Sequence, residues 1–213
     1  MQLILEHIIP SYLEKEKVAD SEIWEKKLEF SKGEKIQIVA SSGRGKTSLV
    51  HFLYGLRNDY SGKIIFNNNE ISKLGADALS SMRSREISII FQDLRLFPEH
   101  TTEQNITVKR DLLPYHTAEP YTKMAERLGI KGKLNQPSKN CSYGEQQRTA
   151  IIRALQQPFD LLLMDEPFSN LDEVNRIKAM ELINEEVAAR QATVLLFDLK
   201  QIEYFKPDRI LYL

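Results

Sequence analysis

Residues 40–47 read Ala40-Ser41-Ser42-Gly43-Arg44-Gly45-Lys46-Thr47, between an apolar run at 36–39 and a helix-forming run at 47–56. A strand, a loop of small residues and a helix, in that order, form the context in which a P-loop works. Small residues let successive backbone N–H groups turn inward around phosphate oxygens, and the helix N-terminus adds partial positive charge. In such a loop Ser41, Ser42, Gly43, Arg44, Gly45 and Ser48 surround the phosphates, and Lys46 reaches the terminal ones. The Thr47 hydroxyl is then a Mg²⁺ ligand. Position 40 departs from the motif, which carries glycine there, and alanine resists positive φ. Taken alone, the pattern also fits a plain glycine-rich turn.

Outward from the loop, strand patterns fall at 3–8, 35–40, 63–66, 87–91, 161–164, 193–197 and 209–213. Helical patterns follow Lys46, run through 76–83, 121–128 and 174–189, and begin at Ser142. This alternation predicts an α/β sheet covered by helices. The first third holds more strands and turn signals, such as Lys32-Gly33 and Asn67-Asn68-Asn69. The stretch 93–142 reads as mainly helical, an inserted lobe within a single 1–213 domain. No repeat or linker divides the chain.

Bulk properties narrow the function classes. Lys and Arg number 29 against 30 Asp and Glu, so no basic excess argues for nucleic acid. One cysteine, Cys141, excludes an intrachain disulfide and a thiolate cluster. Ahead of a helix it reads as a small buried hydrophobe. The first residues, Met1 to Glu6, have the pattern of a strand and not of a signal peptide. No apolar run approaches the roughly 20 residues that span a bilayer. Any membrane pore would belong to another chain.

A second strand carries acids. Leu161-Leu162-Leu163-Met164-Asp165-Glu166 is a buried-type strand ending in two carboxylates, the usual arrangement at a ligand crevice of a parallel sheet. Asp165 suits Mg²⁺, and Glu166 suits polarising a water that attacks a phosphate. Alone, the pair also fits solvated acids at a strand end.

Upstream lies Cys141-Ser142-Tyr143-Gly144-Glu145-Gln146-Gln147-Arg148, in which Ser142 and Glu145 form a capping box at a helix start. Such a start is another anion-receptive end. This segment resembles the signature motif of ATP-binding cassette proteins. Ala150-Ile151-Ile152-Arg153-Ala154-Leu155 is similar to the family's continuation, and Asp165-Glu166-Pro167-Phe168-Ser169-Asn170-Leu171-Asp172 to its Walker B and D-loop. Phe91-Gln92-Asp93 with Leu96-Phe97-Pro98 resembles the Q-loop, and Tyr12 sits where the family often has an aromatic that stacks on adenine. The resemblance spans nearly the whole chain, with the motifs in the family's order. Within the family, Ser81-Met82-Arg83 to Phe91-Gln92 is similar to lipoprotein-release and macrolide-export subunits.

The resemblance implies a P-loop NTPase core with an N-terminal antiparallel β portion and an inserted helical lobe. It implies ATP and Mg²⁺ as ligands, with catalysis by Glu166 and Gln92. The metal ligands would be Thr47, Asp165 and Gln92. It also implies a dimer, expected to be a homodimer, with ATP between one copy's loop and the Ser142, Gly144 and Glu145 region of the other. The partner would be a separate permease, with the chain on the cytoplasmic face of the membrane. Three positions depart from the family. Tyr143 replaces the first glycine of the signature and crowds a place where backbone should meet phosphate. Glu145 replaces its glutamine. Phe197-Asp198-Leu199-Lys200 lacks the switch histidine, since His7, His51, His100 and His116 all lie upstream. That absence predicts slow hydrolysis unless Lys200 compensates. It also keeps open a nucleotide-gated clamp with little turnover. A cassette acting on DNA or ribosomes would usually need a second cassette or long insertions.

Overall fold

The computed structural model describes residues 1–116 and 120–213. In chain order the elements are β1 (Gln2–Pro10), α1 (Lys15–Ala19), β2 (Lys27–Ser31), β3 (Lys35–Val39), α2 (Lys46–Leu53), β4 (Tyr60–Phe66), β5 (Asn69–Glu70), α3 (Ala76–Arg85) and β6 (Ile87–Ile90). Then come α4 (Thr102–Arg110), α5 (Pro120–Arg127), α6 (Tyr143–Ala154), β7 (Leu161–Asp165), α7 (Glu173–Arg190), β8 (Thr193–Asp198) and β9 (Arg209–Tyr212). Two sheets form. One is antiparallel with order β2-β1-β4-β5, and the other has order β6-β7-β8-β3-β9 with every pair parallel.

The central strands β7 and β8 of the parallel sheet are buried on both faces, which explains their long apolar runs, whereas the edge strand β9 is only partly buried. Leu161, Leu163, Leu195 and Phe197 join the core that also holds β1, α2 and β4. Leu162, Met164, Val194 and Leu196 face the opposite way, onto α5, α6 and α7. The expected α/β class with an N-terminal antiparallel portion is therefore the architecture observed.

β1 follows alternation until a bulge. Leu3 and Leu5 are buried, and then Ile8 and Pro10, because His7 takes φ 50° and shifts the phase by one. Gly62 faces this bulge with φ 84°, and a Cβ there would lie 2.4 Å from the Glu6 and His7 carbonyl oxygens. Only glycine fits, and the bulge sets the direction in which the chain leaves β1 toward Tyr12.

Four elements lie outside the sequence expectation. In the edge strand β2, Lys27, Glu29 and Ser31 are exposed while Phe30 is buried. The charges mask a period-2 pattern. The two-residue β5 and the five-residue α1 are too short to carry a period. α4 begins at a complete capping box of Thr101 and Gln104, a signal present in the sequence. The helix after the loop stops at Leu53 rather than 56, because Gly55 turns left-handed at φ 68°. Among the described residues, no helix is long and apolar enough to cross a membrane.

Candidate functional site

The loop between β3 and α2 takes its shape from two left-handed glycines, Gly43 at φ 79° and Gly45 at φ 92°. Ala40 needs no such conformation. It is buried, outside the positive-φ region, and its N–H donates to the Asp198 carbonyl at 3.0 Å. The alanine departure is thus accommodated. Beneath the loop lies Trp24, fully buried, whose indole N–H donates to the Arg44 carbonyl at 3.2 Å. A Cβ on Gly45 would come within 2.9 Å of this ring. Gly45 is also the N-cap of α2, so no side chain caps the helix. Its first amides open into a cleft of about 270 Å³.

Ser41, Ser42, Gly43, Gly45, Lys46, Thr47 and Ser48 line this cleft. Tyr12, Gln92, Glu166 and Leu199 complete its wall. The Arg44 side chain turns away, toward Asp20 at 3.9 Å, and is not part of the lining. A second cleft of about 340 Å³ adjoins, lined by Thr47, Gln92, Asp165, His51, Tyr143 and others. Thr47 and Gln92 belong to both.

The acids occupy the end of β7. Asp165 is 2 % exposed. Burial pushes its carboxyl up to about 6, against the opposing pull of the Thr47 hydrogen bond and the Lys46 charge. Among the described residues its Oδ1 has no hydrogen-bond partner. A buried carboxylate oxygen left unpaired beside a threonine hydroxyl fits a hard cation such as Mg²⁺, which Thr47, Asp165 and Gln92 would hold. Glu166 sits in the left-handed region at φ 46°, its amide fixed by the Phe197 carbonyl at 2.9 Å. Its carboxylate pairs with the Lys46 ammonium.

α6 starts elsewhere. Ser142, Gly144 and Glu145 do not line the loop's cleft. The capping box is complete: Ser142 Oγ accepts from the Glu145 amide at 3.3 Å, and Glu145 Oε2 accepts from the Ser142 amide at 2.8 Å. That Ser142 N–H holds the Glu145 carboxyl below its ordinary value. Gly144 packs on the loop after β7, where a Cβ would lie 3.0 Å from the Asn170 carbonyl. Tyr143 projects half-exposed at the second cleft.

Two buried side chains join these parts, and sequence reading gave them no role. Gln147 donates to the Glu166 carbonyl at 3.3 Å and accepts from the Asn170 amide at 2.9 Å, linking α6 to the acidic strand end. Arg153 donates to the Arg95 and Leu94 carbonyls at 2.7 and 2.5 Å, and burial lowers its pKa to about 10. It thereby pins two consecutive left-handed residues of the loop after Gln92. Trp24, Arg57 and Asp59 also escaped the sequence reading. Cys141 is buried, as a small apolar residue would be.

The family model described as ABC transporter matches residues 25–169, more than half of the chain, and the protein belongs to that family. It is 33 % identical over 172 residues to the macrolide export ATP-binding/permease protein MacB of Nitrosomonas europaea, covering 79 % of this chain and 26 % of that protein. It is 34 % identical over 149 residues to the lipoprotein-releasing system ATP-binding protein LolD of Oleidesulfovibrio alaskensis, covering 68 % of this chain and 64 % of that protein. The matches thus span less than two thirds of either relative's length. Among solved structures it is similar to the ATP-binding cassette MJ0796 in a dimeric post-hydrolysis state bound to ADP and Pi. That match has a TM-score of 0.82 and 25 % identity, and covers 99 % of this chain and 94 % of the other. A bacterial Atm1-family ABC exporter with ATP bound shares the fold, at TM-score 0.80 and 22 % identity, over all of this chain and 36 % of that one.

Proposed function

We propose that this chain binds and hydrolyses Mg-ATP as a homodimer and drives a separate membrane permease, on whose cytoplasmic side it sits. The observation that carries the reading is the convergence of Lys46, Thr47, Gln92, Asp165 and Glu166 around one uncapped helix N-terminus. The loop amides and Lys46 bind the phosphates, and the Tyr12 ring takes the adenine. Lys46 exchanges its Glu166 partner for phosphate oxygens, which leaves the Glu166 carboxylate to orient and deprotonate the attacking water. Gln92 lines both clefts and reaches the terminal phosphate from the other side. Thr47, Asp165 and Gln92 would hold Mg²⁺, which when bound would supply positive charge against the phosphate oxygens. Ser142, Gly144 and Glu145 of the second copy close the nucleotide from above. That the similar MJ0796 cassette is dimeric with ADP and Pi bound supports a dimer that holds nucleotide. The segment 93–142 is taken as an inserted lobe of a single 1–213 domain.

Turnover is slow in this reading. Leu199 lines the cleft where the family carries a histidine, and a leucine side chain has no donor. Asp198 does not replace it while ionised: although burial raises its pKa, a carboxylate only accepts hydrogen bonds, and it already takes the Leu199 amide at 2.7 Å. One missing donor costs on the order of 10²–10³ in kcat. Leu199 is also the observation that favours the second reading, a nucleotide-gated clamp with residual hydrolysis.

Calorimetry and steady-state ATPase measurements test both. Lys46→Ala is expected to weaken Mg-ATP binding roughly 10- to 100-fold, the worth of one or two charge-assisted hydrogen bonds. Glu166→Gln is expected to cut kcat by about 10²–10⁴ with binding retained. Leu199→His raises the rate. Equal affinities for the native protein and Lys46→Ala would reduce the loop to a structural turn.

A further inference from the structure

The turn that carries Tyr12 is tied to the segment leading into β4. The Ser11 amide and the Ser11 hydroxyl both donate to the Asp59 carbonyl, each at 3.0 Å. Across this tie the Arg57 guanidinium lies over the Tyr12 ring, 5.4 Å from its centroid, and over the Phe52 ring at 5.6 Å. Asp59 locks that guanidinium: Nε donates to Oδ1 at 2.9 Å and Nη2 donates to Oδ2. Nη1 donates to Ser48 Oγ at 3.1 Å, and the same oxygen accepts from the Tyr12 hydroxyl. The tyrosine is therefore held through its neighbour Ser11, at its own hydroxyl and at its ring face. Its side chain still remains 51 % exposed and forms part of the cleft wall.

A ring ordered before its ligand arrives has no rotamer freedom left to lose on binding, so stacking on it is stronger than on a mobile one. We propose that Arg57, locked by Asp59, is a positioning residue for the nucleobase: it holds one face of Tyr12 and presents the other to the base of a nucleotide whose phosphates fill the loop. This rests on the reading of the cleft as an ATP site. It concerns the base alone, since Arg57 reaches the phosphate loop only through Ser48.

The test uses two probes, Mg-ATP and inorganic tripolyphosphate, titrated by calorimetry into the full chain and its Arg57→Met, Tyr12→Ala and doubly substituted variants. Arg57→Met removes the charge at similar length. It is expected to weaken ATP binding roughly 3- to 10-fold, the size of a cation–π contact and the order it imposes. Tripolyphosphate affinity stays unchanged, which also reports an intact loop. In the Tyr12→Ala background the Arg57 substitution has no further effect on ATP. Equal losses for both probes, or additive losses in the double variant, would overturn the assignment, because Arg57 would then act on the loop or on folding. A native chain that binds neither probe would overturn the ATP reading itself, and this one with it.

Discussion

The helix N-termini of α2 and α6, both read from the sequence as anion-receptive, are finished in opposite ways. Gly45 leaves α2 uncapped, above a buried carboxylate with an unpaired oxygen. Ser142 and Glu145 close α6 with a reciprocal box and add a carboxylate where an anion would arrive. An uncapped helix end beside an unpaired acid is a cost that the unliganded fold carries and a ligand removes. A capped end is complete on its own, and a phosphate there must come from a partner that also supplies binding energy. On the proposed reading, recognition belongs to α2 and closure to α6.

The contrast is sharpest at Asp165. Its folded pKa lies at about 6 against an ordinary 3.8, so the folded state holds the proton more tightly than the unfolded chain does. The group therefore favours folding at low pH, and that contribution is lost as pH rises through about 6. Asp165→Asn is expected to stabilise the metal-free protein by about 3 kcal/mol at pH 7.5 and by about half as much at pH 5. Urea titrations in EDTA at both pH values measure this, and a pH-independent difference would contradict it. Next, Gly45→Ala forces an L-residue into φ 92° and sets its methyl against Trp24. A loss of about 2 kcal/mol is expected, together with weakened ATP binding. A variant as stable as the native chain would mean that the loop relaxes. Smallest is Ser142→Ala, which costs about 1 kcal/mol of stability through the lost cap and leaves ATP affinity of the monomer unchanged. If monomeric affinity falls, α6 shares in recognition and the contrast is wrong.

The core strands were legible because a doubly covered parallel sheet spells them as apolar runs, as at 161–164 and 193–197. The loop at 40–47 and the acids at 165–166 were legible as local patterns, and the fold brings them to two adjoining clefts that share Thr47 and Gln92. α4 was legible too, through Thr101 and Gln104, but its polar surface hid it. β2 was not, since its edge position exposes alternate charges. Trp24, Arg57 and Gln147 were beyond reach for another reason. Their partners, Arg44, Tyr12 and Glu166, lie far along the chain, and no local spacing announces such contacts. Arg44 shows the converse limit: a motif position fixes the backbone, whereas its side chain follows Asp20.

Trp24 has an optical consequence. It is the chain's single tryptophan, fully buried, with its indole N–H on a carbonyl of the phosphate loop and its ring against Gly45. Its fluorescence thus arises from one environment, and that environment is the underside of the loop. A shift of the loop would change the polarity at the indole nitrogen, so on the proposed reading a titration with Mg-ATP is expected to move the emission wavelength without any attached dye.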